Sequence, residues 1–364
     1  MEWFHTYKSN TLAGSGNQYF FVTGDNESRT GRVYYKVYAG GKYNYSLLFS
    51  NVIDSTYFDG SVSRCNMHCD EWKILRASIG ACDTCEEDFA VEPVKFYPLT
   101  FQGKTSKTVN PGEIFTTDAI ELDVKKDEYL CLEIEFRGSR IPCHEEIILP
   151  VFIKENGQWV PSRHIPVPGM VGCNRKVQAS IGFLGDSITQ GIGTAVNSYL
   201  HWNARLAEAL GPDYSYWNLG LGFGRAEDAA RDGAWLWKAK QMDMVVVCFG
   251  VNDVCQGRTE KDIMKDLQTI IKRLRDVGVR VMIQSLPPFD LQGEAMEKWL
   301  QVNEYIRSTL AEEADAVFDV ASVLCDGPIE LGKAKYGGHP NEEGCKVWAD
   351  AMLPVMKDLV KILE

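Results

Sequence analysis

The rhythm of hydrophobic residues changes once along the chain, and that change constrains the fold more than any other feature. From about residue 15 to 165, apolar and polar residues alternate in short runs: RVYYKV at 32–37, YSLLF at 45–49, AIELDV at 119–124 and YLCLEIEF at 129–136. Turn signals separate them, among them Gly40-Gly41, Asn110-Pro111-Gly112 and Glu155-Asn156-Gly157. A period of two with frequent turns predicts an antiparallel β-sandwich with jelly-roll character. Ten of the fifteen tyrosines fall in this half, where aromatics chiefly serve as core or cross-strand partners. Residues 160–176, carrying Pro161, Pro166, Pro168, Gly169, Gly172 and the pair Arg175-Lys176, read as a linker.

Beyond the linker, short apolar runs (180–184, 214–219, 244–249, 280–286 and 316–320) alternate with helical stretches at about 202–210, 226–240, 261–277, 293–314 and 342–362. Strand–helix alternation predicts a parallel sheet with helices on both faces, a three-layer α/β/α arrangement. The expected domains are therefore 1–174, antiparallel β, and 175–364, α/β. A length of 364 residues suits two cores.

In open α/β sheets, ligands bind beyond the carboxyl ends of the strands, so chemistry is sought there. After the first run comes Gly185-Asp186-Ser187-Ile188-Thr189; after the second, Asn218-Leu219-Gly220-Leu221-Gly222-Phe223-Gly224; after the third, Gly250-Val251-Asn252-Asp253; after the fifth, ahead of the last helix, Gly338-His339-Pro340-Asn341. Acyl transfer needs a hydroxyl nucleophile, an imidazole to take its proton and neutral N–H donors for the oxyanion. Ser187, His339 and Asn252 supply these types in that order. Singly, each has a plainer role: Ser187 or Asn252 as helix caps, the glycines as turns, His339-Pro340 as a helix entry. Gly220, Gly222 and Gly224 do not form the dinucleotide fingerprint, and no phosphate-loop lysine follows.

These blocks resemble the SGNH subgroup of the GDSL hydrolases over about residues 178–364. The resemblance implies Ser187 as nucleophile, His339 as base, and an oxyanion hole made by the Ser187 N–H, the Asn252 amide and a backbone N–H at Phe223 or Gly222. Two positions depart from the family pattern. Phe223 stands where the family has a glycine, and Tyr336 stands where it has the Asp three residues before the His. A phenol is neutral at pH 7 and supplies no compensating charge. Either a Ser187–His339 dyad operates, or an acid arrives from elsewhere, with Asp319, Asp326 and Glu330 nearest in sequence. The dyad is the favoured alternative, and His201 is read as structural.

A β-sandwich ahead of an SGNH domain also resembles two-domain carbohydrate esterases that remove acetyl groups from plant saccharides. The implied substrate is a short acyl ester, acetyl in the first instance, on a small molecule or oligosaccharide, with no cofactor required. The alternatives are a lipid-directed esterase, lysophospholipase or thioesterase, and a carbohydrate-binding protein with an impaired hydrolase half.

A net charge of −12 without basic runs argues against nucleic acid or an anionic membrane as partner. No basic flank and apolar stretch mark the N-terminus, and no apolar run could span a bilayer, so a cytoplasmic protein is expected. Eleven cysteines cannot all pair, and several sit in apolar runs, as suits a reducing compartment. Cys65, Cys69, Cys82 and Cys85, with His68 among them, come close to the spacing of a structural zinc site. Unliganded loop thiols are the alternative.

Overall fold

A computed structural model describes residues 1–12, 16–22, 27–57, 63–144 and 148–362. The chain divides into two compact units, Met1–Lys176 and Val177–Glu364. Among the described residues, no helix is long and apolar enough to cross a membrane.

The first unit is built from antiparallel strands. One sheet runs through Gln158–Pro161, Val151–Glu155, Arg29–Lys36, Tyr129–Gly138, Trp72–Cys82 and Tyr97–Pro98, with Lys107–Val109 also on the Trp72–Cys82 strand. A second runs through Lys8–Ser9, Met170–Cys173, Gly41–Ser50 and Ile114–Thr116, with Ile120–Val124 also on Gly41–Ser50. Alternation in sequence becomes alternation in burial: Trp72, Ile74, Ala77 and Ile79 face inward. The phase slips where Glu135 pairs with Arg76 but Phe136 with Ile74, leaving Leu75 as the extra residue of a bulge. Tyr34, Tyr35 and Tyr45 are buried in the core.

The zinc spacing of Cys65, Cys69, Cys82 and Cys85 does not become a zinc geometry. Cys65 lies on the Ser63–His68 hairpin strand, opposite Ser55. Cys69 is buried, with Cys143 and Asp54 acting on its thiol. Cys82 instead joins a core cluster with Tyr34, Ala90, Cys131 and Phe152, against which Cys85 packs. Cys82 and Cys85 thus share a cluster that includes neither Cys65 nor Cys69. Among the described residues, no three His, Cys, Asp or Glu side chains are grouped to hold a metal, and every cysteine is a free thiol.

The second unit holds a five-stranded parallel sheet. Its strands are β1 (Ala179–Gly185), β2 (Tyr214–Gly220), β3 (Met244–Cys248), β4 (Arg280–Gln284) and β5 (Ala316–Phe318), in the order β2-β1-β3-β4-β5. β1, β2 and β3 are buried along their whole length, which is why they read as largely apolar runs. The main helices are α1 (Trp202–Leu210), α2 (Glu260–Arg275), α3 (Gly293–Tyr305) and α4 (Glu342–Val360). α2 buries Ile263, Leu267, Ile270, Ile271 and Leu274 on one face, and the Thr259 hydroxyl caps it by accepting from the Asp262 N–H. α1 and α4 meet through Trp202 and Trp348, stacked at 4.6 Å and 6°.

Two predicted helices are interrupted. The stretch 226–240 splits into Ala226–Ala230 and Ala234–Ala239, because Asp232 takes a left-handed φ of 58° ahead of Gly233. The stretch 293–314 widens into a π-turn at Ile306–Leu310. Chain order reverses at β1, whose neighbours are β2 on one side and β3 on the other, so the cleft of the sheet lies at the end of β1.

Candidate active site

Ser187 begins directly where β1 stops. It is the first residue of the short helix Ser187–Gln190, whose cap is Asp186, accepting from the Ile188 N–H at 3.0 Å. Asp186 is fully buried, and loss of hydration pushes its carboxyl up to about 7. Two glycines let this turn sit so tightly on the sheet. A Cβ on Gly185 would collide with the Thr189 hydroxyl and lie 2.6 Å from the Cys248 carbonyl; one on Gly220 would collide with the Gln190 backbone nitrogen. Asn218 completes the support. Its amide donates to the Gln190 carbonyl at 3.2 Å, and its oxygen accepts from the Gly220 N–H at 2.9 Å.

The loop after β2 forms the next wall. The Leu221 N–H donates to the Gly185 carbonyl at 3.1 Å, and the Gly224 N–H closes a turn onto the Leu221 carbonyl, also at 3.1 Å. Phe223 is the third residue of that turn, with φ of 59° and its ring 44% exposed. A turn whose third residue has positive φ favours glycine there, which gives the family's glycine a physical reason and makes Phe223 a strained exception.

Asn252 sits on the short helix Val251–Cys255 after β3 and donates its amide to the Gly224 carbonyl at 3.0 Å. Its neighbour Asp253 is buried. It accepts from the Ala226 N–H at 2.9 Å and from Arg258 at 2.6 Å, tying the β2 and β3 loops together. Arg258 also pairs with Asp266 at 2.7 Å, and Arg225 pairs with Asp228 at 2.9 Å. This ionic underpinning gave no recognisable signal in the sequence.

His339 arrives on the loop before α4. Asn341 caps that helix by accepting from the Gly344 N–H at 3.0 Å, and its own N–H donates to the Tyr336 carbonyl at 3.1 Å. Gly193, with φ of 106°, lets the segment after Ser187 lie against this loop; a Cβ there would be 2.5 Å from the Pro340 carbonyl oxygen. The outcome is a distance of 2.9 Å between Ser187 Oγ and His339 Nε2, within reach for proton transfer. The ring is half-buried, and burial alone holds its pKa below the usual imidazole value.

Among the described residues, no carboxylate acts on that ring. Asp319, one of the acids considered from sequence, accepts from the Ser285 hydroxyl at 2.8 Å and from Arg307 at 3.3 Å. Asp326 is exposed, its backbone N–H bonded to the Lys333 carbonyl. Tyr336 lies under the Lys335 ammonium, 5.3 Å from the ring centroid, with its Cβ against Gly344. The residue that does meet the imidazole was not anticipated. Phe289, from the loop after β4, packs against it at 5.5 Å and 74°. His201 is fully buried at the start of α1, 6.4 Å from the Tyr199 ring, and its pKa falls to about 3 through loss of hydration.

Residues 183–347 match the GDSL-like Lipase/Acylhydrolase family model. No curated protein sequence matches the chain. Among solved structures, the chain is similar to a putative lipolytic protein of the G-D-S-L family from Desulfitobacterium hafniense, at 18% identity over 48% of this chain and 98% of that one, with a TM-score of 0.42. It is also similar to a carbohydrate acetylesterase family member from Sinorhizobium meliloti (20% identity, 51% of this chain, 100% of that one, TM-score 0.41). A carbohydrate esterase family 3 protein from Talaromyces cellulolyticus is similar at 19% identity, over 51% of this chain and 99% of that one, with a TM-score of 0.38. With its motif blocks standing at successive strand ends, the C-terminal unit of this chain is similar over residues 183–347 to the GDSL-like lipase/acylhydrolase family.

Proposed function

We propose that the chain is a serine esterase that removes short acyl groups, acetyl first among them, from carbohydrate through a Ser187–His339 dyad. The observation that carries this reading is the 2.9 Å contact between Ser187 Oγ and His339 Nε2 beside a ring that no carboxylate among the described residues influences. His339 Nε2 takes the hydroxyl proton as Oγ bonds to the acyl carbon, and the carbonyl electron pair moves onto oxygen. The Ser187 N–H, a backbone N–H at Gly222 or Phe223 and the Asn252 amide are the donors proposed for that oxyanion. Collapse expels the alcohol, which receives the proton from His339. Water, deprotonated by the same nitrogen, then frees the acid and restores Ser187. The transient imidazolium is balanced by the oxyanion formed with it, and the proposed steps use no metal or organic cofactor.

The acetyl-on-sugar assignment draws on the order of units, an antiparallel β-rich unit ahead of the hydrolase unit. An acyl-length series on 4-nitrophenyl esters, paired with acetylated oligosaccharides and run beside Ser187→Ala, tests it. Turnover that falls steeply beyond short chains and vanishes in Ser187→Ala supports the proposal. Preference for long acyl chains points instead to a lipid or thioester substrate. Background turnover that Ser187→Ala leaves unchanged points to a binding protein with an impaired site.

A further inference from the structure

We infer that Phe289 is a positioning residue for His339, an apolar wall that holds the imidazole in register with Ser187 where no acid among the described residues does so. This inference rests on the esterase reading above. The Phe289 and His339 rings meet edge to face at 5.5 Å and 74°. Phe289 also lies flat against the backbone just before the histidine: a Cβ on Gly338 would stand 2.8 Å from its Cδ2 and 3.0 Å from its Cε2. The ring therefore braces both the side chain of His339 and the chain that carries it.

Phe289 is itself anchored on both sides. The Pro287 carbonyl accepts from the Trp299 indole of α3 at 3.0 Å. Asp290, at φ of 52°, accepts from the Ala334 N–H at 3.0 Å. A side chain whose flanking residues are tied to a helix and to the histidine's own approach segment can act as a fixed wall. An imidazole hydrogen-bonded only to Ser187 could otherwise turn about its side-chain bonds, and an edge-to-face neighbour restricts that turning.

Four charged groups on the elements around the ring are occupied elsewhere. Lys335 lies over Tyr336, Asp290 is bound to Ala334, Asp186 caps Ile188, and Arg205 donates to the Leu200 and Glu342 carbonyls. The acid of a triad fixes its imidazole by a charged hydrogen bond. Here the fixing is apolar. It orients the ring and keeps water from it, which also favours the neutral form needed for a base.

The test uses the full chain as wild type, Phe289→Leu, Phe289→Ala and Ser187→Ala. Turnover of 4-nitrophenyl acetate is followed against pH, and His339 is titrated by NMR of labelled histidine, its signal assigned from His339→Gln. In Phe289→Ala, kcat should fall about tenfold to a hundredfold with KM little changed, as for a misplaced catalytic group. The midpoint of His339 should rise toward about 6.5, the value of a solvated imidazole. Phe289→Leu, which retains bulk but not the edge-to-face contact, should lose several-fold in kcat with a smaller rise. A folded Phe289→Ala or Phe289→Leu with an unmoved midpoint and wild-type kcat overturns the inference. If Phe289→Ala does not fold, Phe289→Leu decides by the same two readings. Should Ser187→Ala hydrolyse the ester as wild type does, the esterase reading is lost, and the NMR midpoint still decides whether Phe289 holds the ring.

Discussion

The amide of Asn252 is already engaged before any substrate arrives: it donates to the Gly224 carbonyl at 3.0 Å. Its nitrogen carries two N–H groups, so one secures the Leu221–Gly224 turn and the second is the donor that the proposed mechanism assigns to the oxyanion. Asn252→Ala removes both and is expected to lower kcat about a hundredfold to a thousandfold, with KM little affected. Asn252→Asp should be at least as damaging, because a carboxylate only accepts and would face the Gly224 carbonyl. Steady-state kinetics on an acetyl ester check this. A loss of only a few-fold in Asn252→Ala would remove Asn252 from the oxyanion hole.

His339 titrates below an ordinary imidazole because burial disfavours its charged form. The base works when neutral, so the acidic limb of kcat/KM should lie below about pH 6.5, the midpoint of a solvated histidine. A dyad also predicts that no carboxylate variant reproduces the loss of the base. Asp319→Asn and Asp326→Asn should keep wild-type limbs, since Asp319 binds Ser285 and Arg307 while Asp326 is exposed. A limb that shifts in either variant would place an acid on the ring.

The buried His201 makes a separate pH prediction, about stability. Its folded pKa of about 3 lies below the unfolded value near 6.5. The unfolded chain therefore binds the extra proton first, and stability present above about pH 6.5 is lost as pH falls toward 3. Asp186 has the opposite sign. Its folded carboxyl, near 7, holds a proton that the unfolded chain releases above about 4, so its contribution is lost as pH rises through 7. The two oppose each other between about pH 4 and 6.5, and the wild-type profile alone will not separate them. The difference in unfolding free energy between wild type and His201→Gln should change by about 1.4 kcal/mol per pH unit over that window, against wild type at the acid end. A difference that stays constant with pH would sink this account of His201.

The parallel sheet and the strand-end placement of Ser187, Asn252 and His339 were legible because both leave local marks. A strand buried on both faces is largely apolar, and a turn that lets backbone touch backbone must carry glycine, as Gly185 and Gly220 do. What stayed hidden depends on contacts between distant segments. Phe289 is one aromatic after one strand, and nothing in its neighbours announces that it will meet a ring fifty residues later. The four cysteines misled for the same reason. Their spacing fits a metal, but Cys82 and Cys85 pack into the cluster of Tyr34 and Cys131, which includes neither Cys65 nor Cys69. Phe223 lies between these cases: its departure from glycine was visible, while the left-handed turn that makes the departure costly was not.

Gly220 offers the sharpest test of how the nucleophile is held. A Cβ there would collide with the Gln190 nitrogen and stand 2.5 Å from the Thr189 carbonyl carbon, both in the helix that begins at Ser187. These are backbone atoms, so no rotamer change can relieve the contact, and the helix itself must move. Gly220→Ala should therefore cost about 1–3 kcal/mol of stability through overpacking. Displacing Ser187 by even an ångström should also cost about a hundredfold in kcat. Gly278→Ala is the matched control, since Gly278 has a φ of 86° but nothing near its absent Cβ. That variant should lose about 1 kcal/mol from backbone strain alone and keep its turnover. Thermal unfolding and acetyl-ester kinetics on the pair separate the two effects: if Gly220→Ala loses stability yet turns over like Gly278→Ala, the close packing of β2 on the Ser187 helix does not set the position of the nucleophile.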